Sequence, residues 1–149
     1  MDNIRETIRQ LMIIMSKLNR TYSTRSSNLG CQASELWLLY ALDDGEPHSQ
    51  KQLCDEWGWV KTTLNSVTKK CEAAGYLTLM SIPGKKREMQ ICLTESGRAY
   101  AKQLLKSFYQ AEAKAMEETL KLYPAEFVAA IKCYNKCLNE EFNRGDSNE

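Results

Sequence analysis

Residues 49–75, SQKQLCDEWGWVKTTLNSVTKKCEAAG, constrain this chain more than any other stretch. They predict a short helix, a tight turn and a second helix. Ser49 with Gln52 makes an S-x-x-Q capping box, in which side chain and backbone satisfy each other at a helix start. Leu53, Cys54 and Trp57 come next at helical spacing, and Gly58 supplies the turn. From about Val60 the second helix sets Leu64, Val67, Thr68 and Cys71 on one side. The other side holds Thr62, Thr63, Asn65, Ser66, Lys69 and Lys70. At about 100° per residue, Thr62, Ser66, Lys69 and Ala73 form one outward stripe. Short polar groups that give way to lysines suit a helix in a DNA major groove, with bases near the first and phosphates near the second. An ordinary solvated face has the same composition, so the stripe alone does not separate the two.

The residues after Gly75 shift the balance toward DNA, although a basic hairpin tip can also be a solvated loop. YLTLMSI (residues 76–82) alternates, Pro83-Gly84 is a turn signal, and Met89, Ile91 and Leu93 share one face of a second alternating run. This predicts a β-hairpin with Lys85, Lys86 and Arg87 at its tip. Behind a helix–turn–helix, such a hairpin is a wing whose cations track the backbone or enter the minor groove. The fold class expected is mainly α (α+β), a winged helix–turn–helix with helices before and after it.

The flanking segments supply those helices. Ile4, Ile8, Leu11, Met12, Met15, Leu18 and Tyr22 trace a helix-period stripe, and Ile13 and Ile14 widen it beyond one face. So much apolar surface points to burial against a second subunit, with a monomer core helix as the alternative. Residues 21–30 are polar and read as a connector. Ser34 is the expected cap of a helix through Leu36, Trp37, Leu39, Tyr40 and Leu42. After the wing, Thr94 caps a long helix over about residues 95–122, with Leu104, Leu105, Phe108, Ala111, Ala115, Met116, Leu120 and Leu122 as its apolar seam. Gly97 in its first turn permits close approach of another backbone. Tyr123-Pro124 breaks that helix, and Pro124 opens a last one carrying Phe127, Ala130, Ile131, Tyr134, Leu138 and Phe142. Residues from 143 onward read as disordered.

Composition narrows function. The net charge of +1 is uninformative, but residues 49–98 carry eight of the lysines and arginines against five acids, a locally basic face. No run of about 18 apolar residues occurs, and MDNIRETIRQ has no signal-type apolar core, so a soluble, cytoplasmic protein without membrane contact is expected. Six cysteines in that setting read as reduced thiols, with Cys54, Cys71 and Cys92 at apolar positions. One histidine (His48), no C-x-x-C pair, no G-x-S-x-G and no glycine-rich phosphate loop leave no metal, cofactor or catalytic set to assemble, so an enzyme is not expected.

The order of elements and several local signals resemble the multiple antibiotic resistance regulator (MarR) family of winged-helix repressors. The resemblance covers nearly the whole chain. It rests on the N-terminal helix, Leu36-Trp37-Leu38-Leu39, Ser49-Gln50-Lys51-Gln52-Leu53, the helix end Cys71-Glu72-Ala73-Ala74-Gly75-Tyr76-Leu77, and Leu93-Thr94-Glu95-Ser96-Gly97 behind the wing. The last, L-T-x-x-G after a basic hairpin, is the most specific. The chain departs from the family at Lys85, where the wing usually has an Asp two residues before its Arg, and at Leu79 and Met80, where an Arg is common. Trp57-Gly58-Trp59 ahead of the second helix is also unusual.

The resemblance implies one MarR-like chain over residues 1–149. Residues 32–97 would form the DNA-binding region, and residues 1–25 and 98–143 a helical dimerisation region. It implies a homodimer held through Ile4, Ile8, Leu11, Phe127, Ile131, Tyr134 and Leu138, and a repressor that reads a palindromic operator in double-stranded DNA. Thr62, Thr63, Asn65 and Ser66 would read bases, Lys61, Lys69 and Lys70 would hold phosphates, and Lys85, Lys86 and Arg87 would act from the wing. It further implies release by a small, often aromatic effector, for which Met12, Met15, Trp37, Tyr40 and Phe108 are the candidate pocket, with core packing as their alternative role. A redox regulator on the same fold is a second reading, with Cys31 near a helix start as the first thiol to test. A winged-helix protein-interaction module is a third.

Overall fold

The computed structural model describes residues 2–146. Among these, six helices and a small antiparallel sheet occur in the order α1 (Asp2–Asn28), α2 (Ala33–Leu42), β1 (His48–Ser49), α3 (Gln50–Trp57), α4 (Lys61–Ala73), β2 (Leu77–Ser81), β3 (Met89–Leu93), α5 (Glu95–Leu120) and α6 (Glu126–Asp146). The fold class is the mainly helical winged helix that the sequence predicts. The chain divides into two compact units, Met1–Lys106 and Ser107–Glu149.

In the first unit α2 packs on α4, α1 on α2, and α3 on α4 and the sheet. The core is Leu36, Leu38, Leu39 and Leu42 of α2, Leu53 of α3, Leu64, Val67 and Cys71 of α4, and Leu77 and Ile91 of the sheet. Leu64, Val67, Thr68 and Cys71, the buried set of α4, are the four residues its periodicity singles out. The alternating pattern of the wing also holds: Ile91 and Leu93 are buried and Met89 half-buried. Pairing runs Leu77 to Leu93 through Ser81 to Met89. The sheet has a third strand that the sequence pattern does not predict. His48 and Ser49 pair with Ile91 and Gln90, so β3 lies between β1 and β2.

Four boundaries move. The polar residues 21–30 do not interrupt α1, which stays helical to Asn28 and ends in a turn where Ser26 Oγ donates to Cys31 O at 2.6 Å. No Gly or Pro stands before Gly30 to break it. Ser34 is not the cap of α2; Gln32 occupies that position without a side-chain hydrogen bond. α5 stops at Leu120, so Leu122 lies beyond the helix and is 78% exposed. Residues 143–146 continue α6, contrary to the disorder expected there, and residues 147–149 lie outside the described residues.

The L-T-x-x-G segment has a clear physical role. α4 ends in a Schellman turn, with Tyr76 N donating to Cys71 O and Gly75 N to Glu72 O, both at 2.9 Å. The Gly75 carbonyl so exposed accepts from Thr94 Oγ1 at 2.7 Å and from Ser96 Oγ at 2.9 Å. Thr94 Oγ1 also accepts from Gly97 N at 3.0 Å and so caps α5, as its position predicts. Gly97 itself faces the Tyr76 backbone. A Cβ there would stand 1.8 Å from Tyr76 O, so only glycine lets the end of α4 and the start of α5 dock.

The second unit contains the later part of α5 and all of α6. Phe108 is buried, while Met116, Leu120, Val128, Ile131 and Phe142 are exposed. Phe127, Tyr134 and Leu138 are half-buried.

Candidate nucleic-acid interface

The start of α4 is set by its neighbours. Ser49 caps α3 with both halves of the capping box formed: Gln52 N donates to Ser49 Oγ at 3.0 Å and Ser49 N to Gln52 Oε1 at 2.9 Å. Gly58 then turns the chain at φ +66°, where a side chain would be strained. Trp59 stacks on Trp57 with centroids 5.3 Å apart, and Trp57 in turn meets Tyr40 and Trp37 of α2. Tyr22 of α1 closes this aromatic row against Trp37 at 4.8 Å. Trp57 is 39% exposed, so it joins the row from the surface and not from inside the core.

On that support the outward residues of α4 are Lys61, Thr62, Thr63, Ser66 and Lys69. Thr62, Thr63 and Lys69 are exposed, as is Lys61 at the helix start. Asn65 is half-buried and stands apart from the stripe. Lys70 is exposed at its head, yet Nζ lies 2.9 Å from Glu35 Oε2. Glu35 is buried on α2, and Tyr100 OH of α5 donates to its other oxygen at 3.1 Å. Tyr100 stacks on Tyr76 with centroids 4.3 Å apart, so one carboxylate ties α2 to α4 and α5. Its hydrogen bond raises the Lys70 ammonium pKa. Lys70 thus serves the fold first, a role the sequence could not signal because its partner is 35 residues away.

The wing brings its cations close to α4. Lys51, Lys61, Lys85 and Arg87 line a cleft of about 540 Å³ with Trp59, Cys54 and Met89 on its walls. Glu88 is the one acid lining it among the described residues, and Lys85 Nζ sits 2.7 Å from it, which holds its carboxyl below the ordinary range. Lys51 is a member of the cleft that helical pattern does not pick out; its position in the first turn of α3 is the only local signal. Lys86 and Arg87 are exposed. A second recess of about 200 Å³ lies between α2 and α4, lined by Ser34, Trp37, Trp59, Thr63, Leu64 and Val67.

Met12 and Met15 are about half exposed, Tyr40 packs on Trp37, and Phe108 belongs to the second unit. Cys31 precedes α2 but is buried, and burial followed by the Glu35 carboxylate pushes its thiol up, the reverse of the shift a helix start was expected to give. No group of three or more His, Cys, Asp or Glu is placed to hold a metal among the described residues. No helix among them is long and apolar enough to cross a membrane.

A family model described as MarR family matches residues 29–88, from the end of α1 to the wing. That segment of the chain is thus MarR-like in sequence. Solved MarR structures share its fold. A MarR family regulator from Neisseria meningitidis superposes with a TM-score of 0.82 at 18% identity, covering 93% of this chain and 98% of that one. AbsC, a MarR family transcriptional regulator from Streptomyces coelicolor, gives 0.72 at 15% identity and covers 96% of each chain. BpsR from Bordetella bronchiseptica, whose DNA binding is regulated by 6-hydroxynicotinic acid, gives 0.65 at 22% identity over 87% of this chain and 90% of its own. No curated protein matches the chain in sequence. The chain therefore shares the winged-helix fold of these structures, with its polar stripe and cationic cleft on the winged helix.

Proposed function

We propose that this protein is a homodimeric repressor that reads a palindromic operator in double-stranded DNA. The observation that carries the reading is the side-by-side placement of the outward Thr62, Thr63, Ser66 and Lys69 of α4 and the cleft lined by Lys51, Lys61, Lys85 and Arg87. Short hydroxyls at the front of a helix suit base edges, and cations beside it suit phosphates. Lys86 and Arg87 act from the wing. Asn65 contributes less than its neighbours because it is half-buried, and Lys70 is occupied by Glu35.

Residues 32–97 serve as the DNA-binding region, and residues 1–25 and 98–143 as the dimerisation region. Ile4 at 68% exposure, Ile8 at 39% and Ile131 at 45% leave too much apolar side chain in water for helices of a free monomer. Leu11, Phe127, Tyr134 and Leu138 extend those surfaces while half-buried. Two copies would present two α4 helices to half-sites about 34–36 Å apart.

A small aromatic effector releases the DNA. BpsR responds to 6-hydroxynicotinic acid, and NadR has been solved with 4-hydroxyphenylacetate. In this chain the recess beneath Trp37 and Trp59 reaches Thr63 and Leu64, so an occupant there would move the start of α4. The redox reading at Cys31 has less support, because a buried thiol with a raised pKa is a poor nucleophile.

Gel-shift titration on the DNA flanking its own gene, beside random DNA at several salt concentrations, tests the reading. Saturable binding tighter on one palindromic site and steeply weakened by salt is expected, with Ser66→Ala losing affinity on that site alone. A salt-independent or absent interaction would favour the protein-interaction module, and a chain that sediments as a monomer would remove the dimer.

A further inference from the structure

Cys133 and Cys137 stand one helical turn apart on α6, and both are exposed. About 100° of helix separates Cys133 from Tyr134 and Cys137 from Leu138, so the pair lies beside the Tyr134–Leu138 line. Residues four apart in a helix hold their Cβ atoms about 5–6 Å from each other. A disulfide needs about 3.5–4.5 Å, so direct S–S closure would require α6 to unwind. A single atom bonded to both sulfurs spans the gap without that distortion.

The surroundings select the kind of atom. No third His, Cys, Asp or Glu joins the pair in a metal-holding group among the described residues, and Glu140 is within ion-pair reach of Lys136 at 3.9 Å. A tetrahedral zinc site wants four ligands, whereas two sulfurs satisfy a trivalent centre that keeps its own organic group. The other thiols offer no exposed pair: Cys31 and Cys71 are buried, and Cys54 and Cys92 are half-buried on different elements.

We propose that Cys133 and Cys137 form a two-point capture site for trivalent organoarsenicals. The step is a condensation. Two S–H bonds break, two As–S bonds form, the arsenical oxygen leaves as water with both protons, and arsenic stays trivalent throughout. Losing either sulfur leaves one-point attachment, which a competing monothiol displaces. The site is independent of DNA reading.

The reduced full-length protein is treated with phenylarsine oxide, challenged with excess mercaptoethanol, then with dithiothreitol, and monitored by native mass spectrometry. One adduct that survives the monothiol and is removed by the dithiol is expected. Cys133→Ser and Cys137→Ser should each weaken retention roughly 10²-fold. Cys54→Ser/Cys92→Ser should retain the adduct. Both side chains are exposed on the single chain, and unchanged circular dichroism and sedimentation check that the fold and the proposed dimer are kept. Retention in Cys133→Ser/Cys137→Ser, or an adduct stripped from the natural protein by mercaptoethanol, would overturn the proposal.

Discussion

The Glu35 carboxylate on α2 accepts from Lys70 on α4 at 2.9 Å, although 35 residues separate them. The two ends of this pair differ. The Glu35 side chain is 9% exposed and the Lys70 side chain 52% exposed, so removing the lysine strands the buried acceptor. An unsatisfied buried group costs about 1–3 kcal/mol, more than an exposed ion pair is worth. Lys70→Ala should therefore lower the urea midpoint by about that free energy at unchanged m-value, whereas Lys69→Ala should leave stability within about 0.5 kcal/mol. On DNA the order reverses. Lys69→Ala should reduce the salt slope by about one, and Lys70→Ala should leave the slope unchanged. Equal slopes for both variants would show that Lys70 leaves Glu35 in the complex.

Gly97 and Tyr76 define a second sensitive contact. A Cβ at position 97 would lie 1.8 Å from a backbone oxygen that cannot rotate away, and relief would pull Thr94 and Ser96 from the Gly75 carbonyl. Gly97→Ala should cost about 3 kcal/mol. Gly145, also helical, has nothing within 4 Å of its would-be Cβ, so Gly145→Ala should be neutral or stabilise by up to about 1 kcal/mol. Paired urea titrations compare them, and similar midpoints would remove the close approach as the reason for glycine at position 97.

These contacts mark how far local pattern reaches. The Ser49–Gln52 box, the buried face of α4, the wing's alternation and the need for glycine at position 97 are legible in the sequence, because each is written within a few residues or in one helical period. The polar residues 21–28 mislead because polarity weakens an amphipathic signal without breaking a helix. β1 escapes notice because two residues have no period, and its pairing comes from Gln90 and Ile91, some forty positions on. At the candidate interface, the outward placement of Thr62, Ser66 and Lys69 is legible from α4 alone. The engagement of Lys70, the half-burial of Asn65 and the membership of Lys51 in the cleft depend on other elements, so local pattern could not supply them.

Thr68 interrupts the buried face of α4 with a hydroxyl that has no hydrogen-bond partner among the described residues, on a residue 1% exposed. Burying an unpaired hydroxyl costs about 1–3 kcal/mol on protein scales. Valine has nearly the same shape and β-branching without that cost. Thr68→Val should raise the melting temperature, with a gain of about 1 kcal/mol, and should leave DNA affinity unchanged because the residue faces the core. A destabilised valine variant would mean that the hydroxyl has a water partner.

Cys71 links the core of α4 to alkaline stability. Burial, reinforced by the Glu35 charge, raises its thiol from the ordinary 9.0 to about 11. The folded protein therefore holds this proton more tightly than the unfolded chain does. Stability from it is fully present below pH 9.0 and is lost as pH rises toward about 11, where the folded thiol also ionises. With partial screening allowed for, the loss is about 2 kcal/mol. Lys70, whose ammonium pKa is also raised, loses stability in the same direction, so the total fall is shared. Cys71→Ala removes only the thiol's part. Urea midpoints at about pH 8 and about pH 10.5 should converge by about 1–2 kcal/mol in that variant relative to the natural protein. An unchanged gap between the two pH values would assign the alkaline loss to groups other than Cys71, Lys70 and Tyr100 among them.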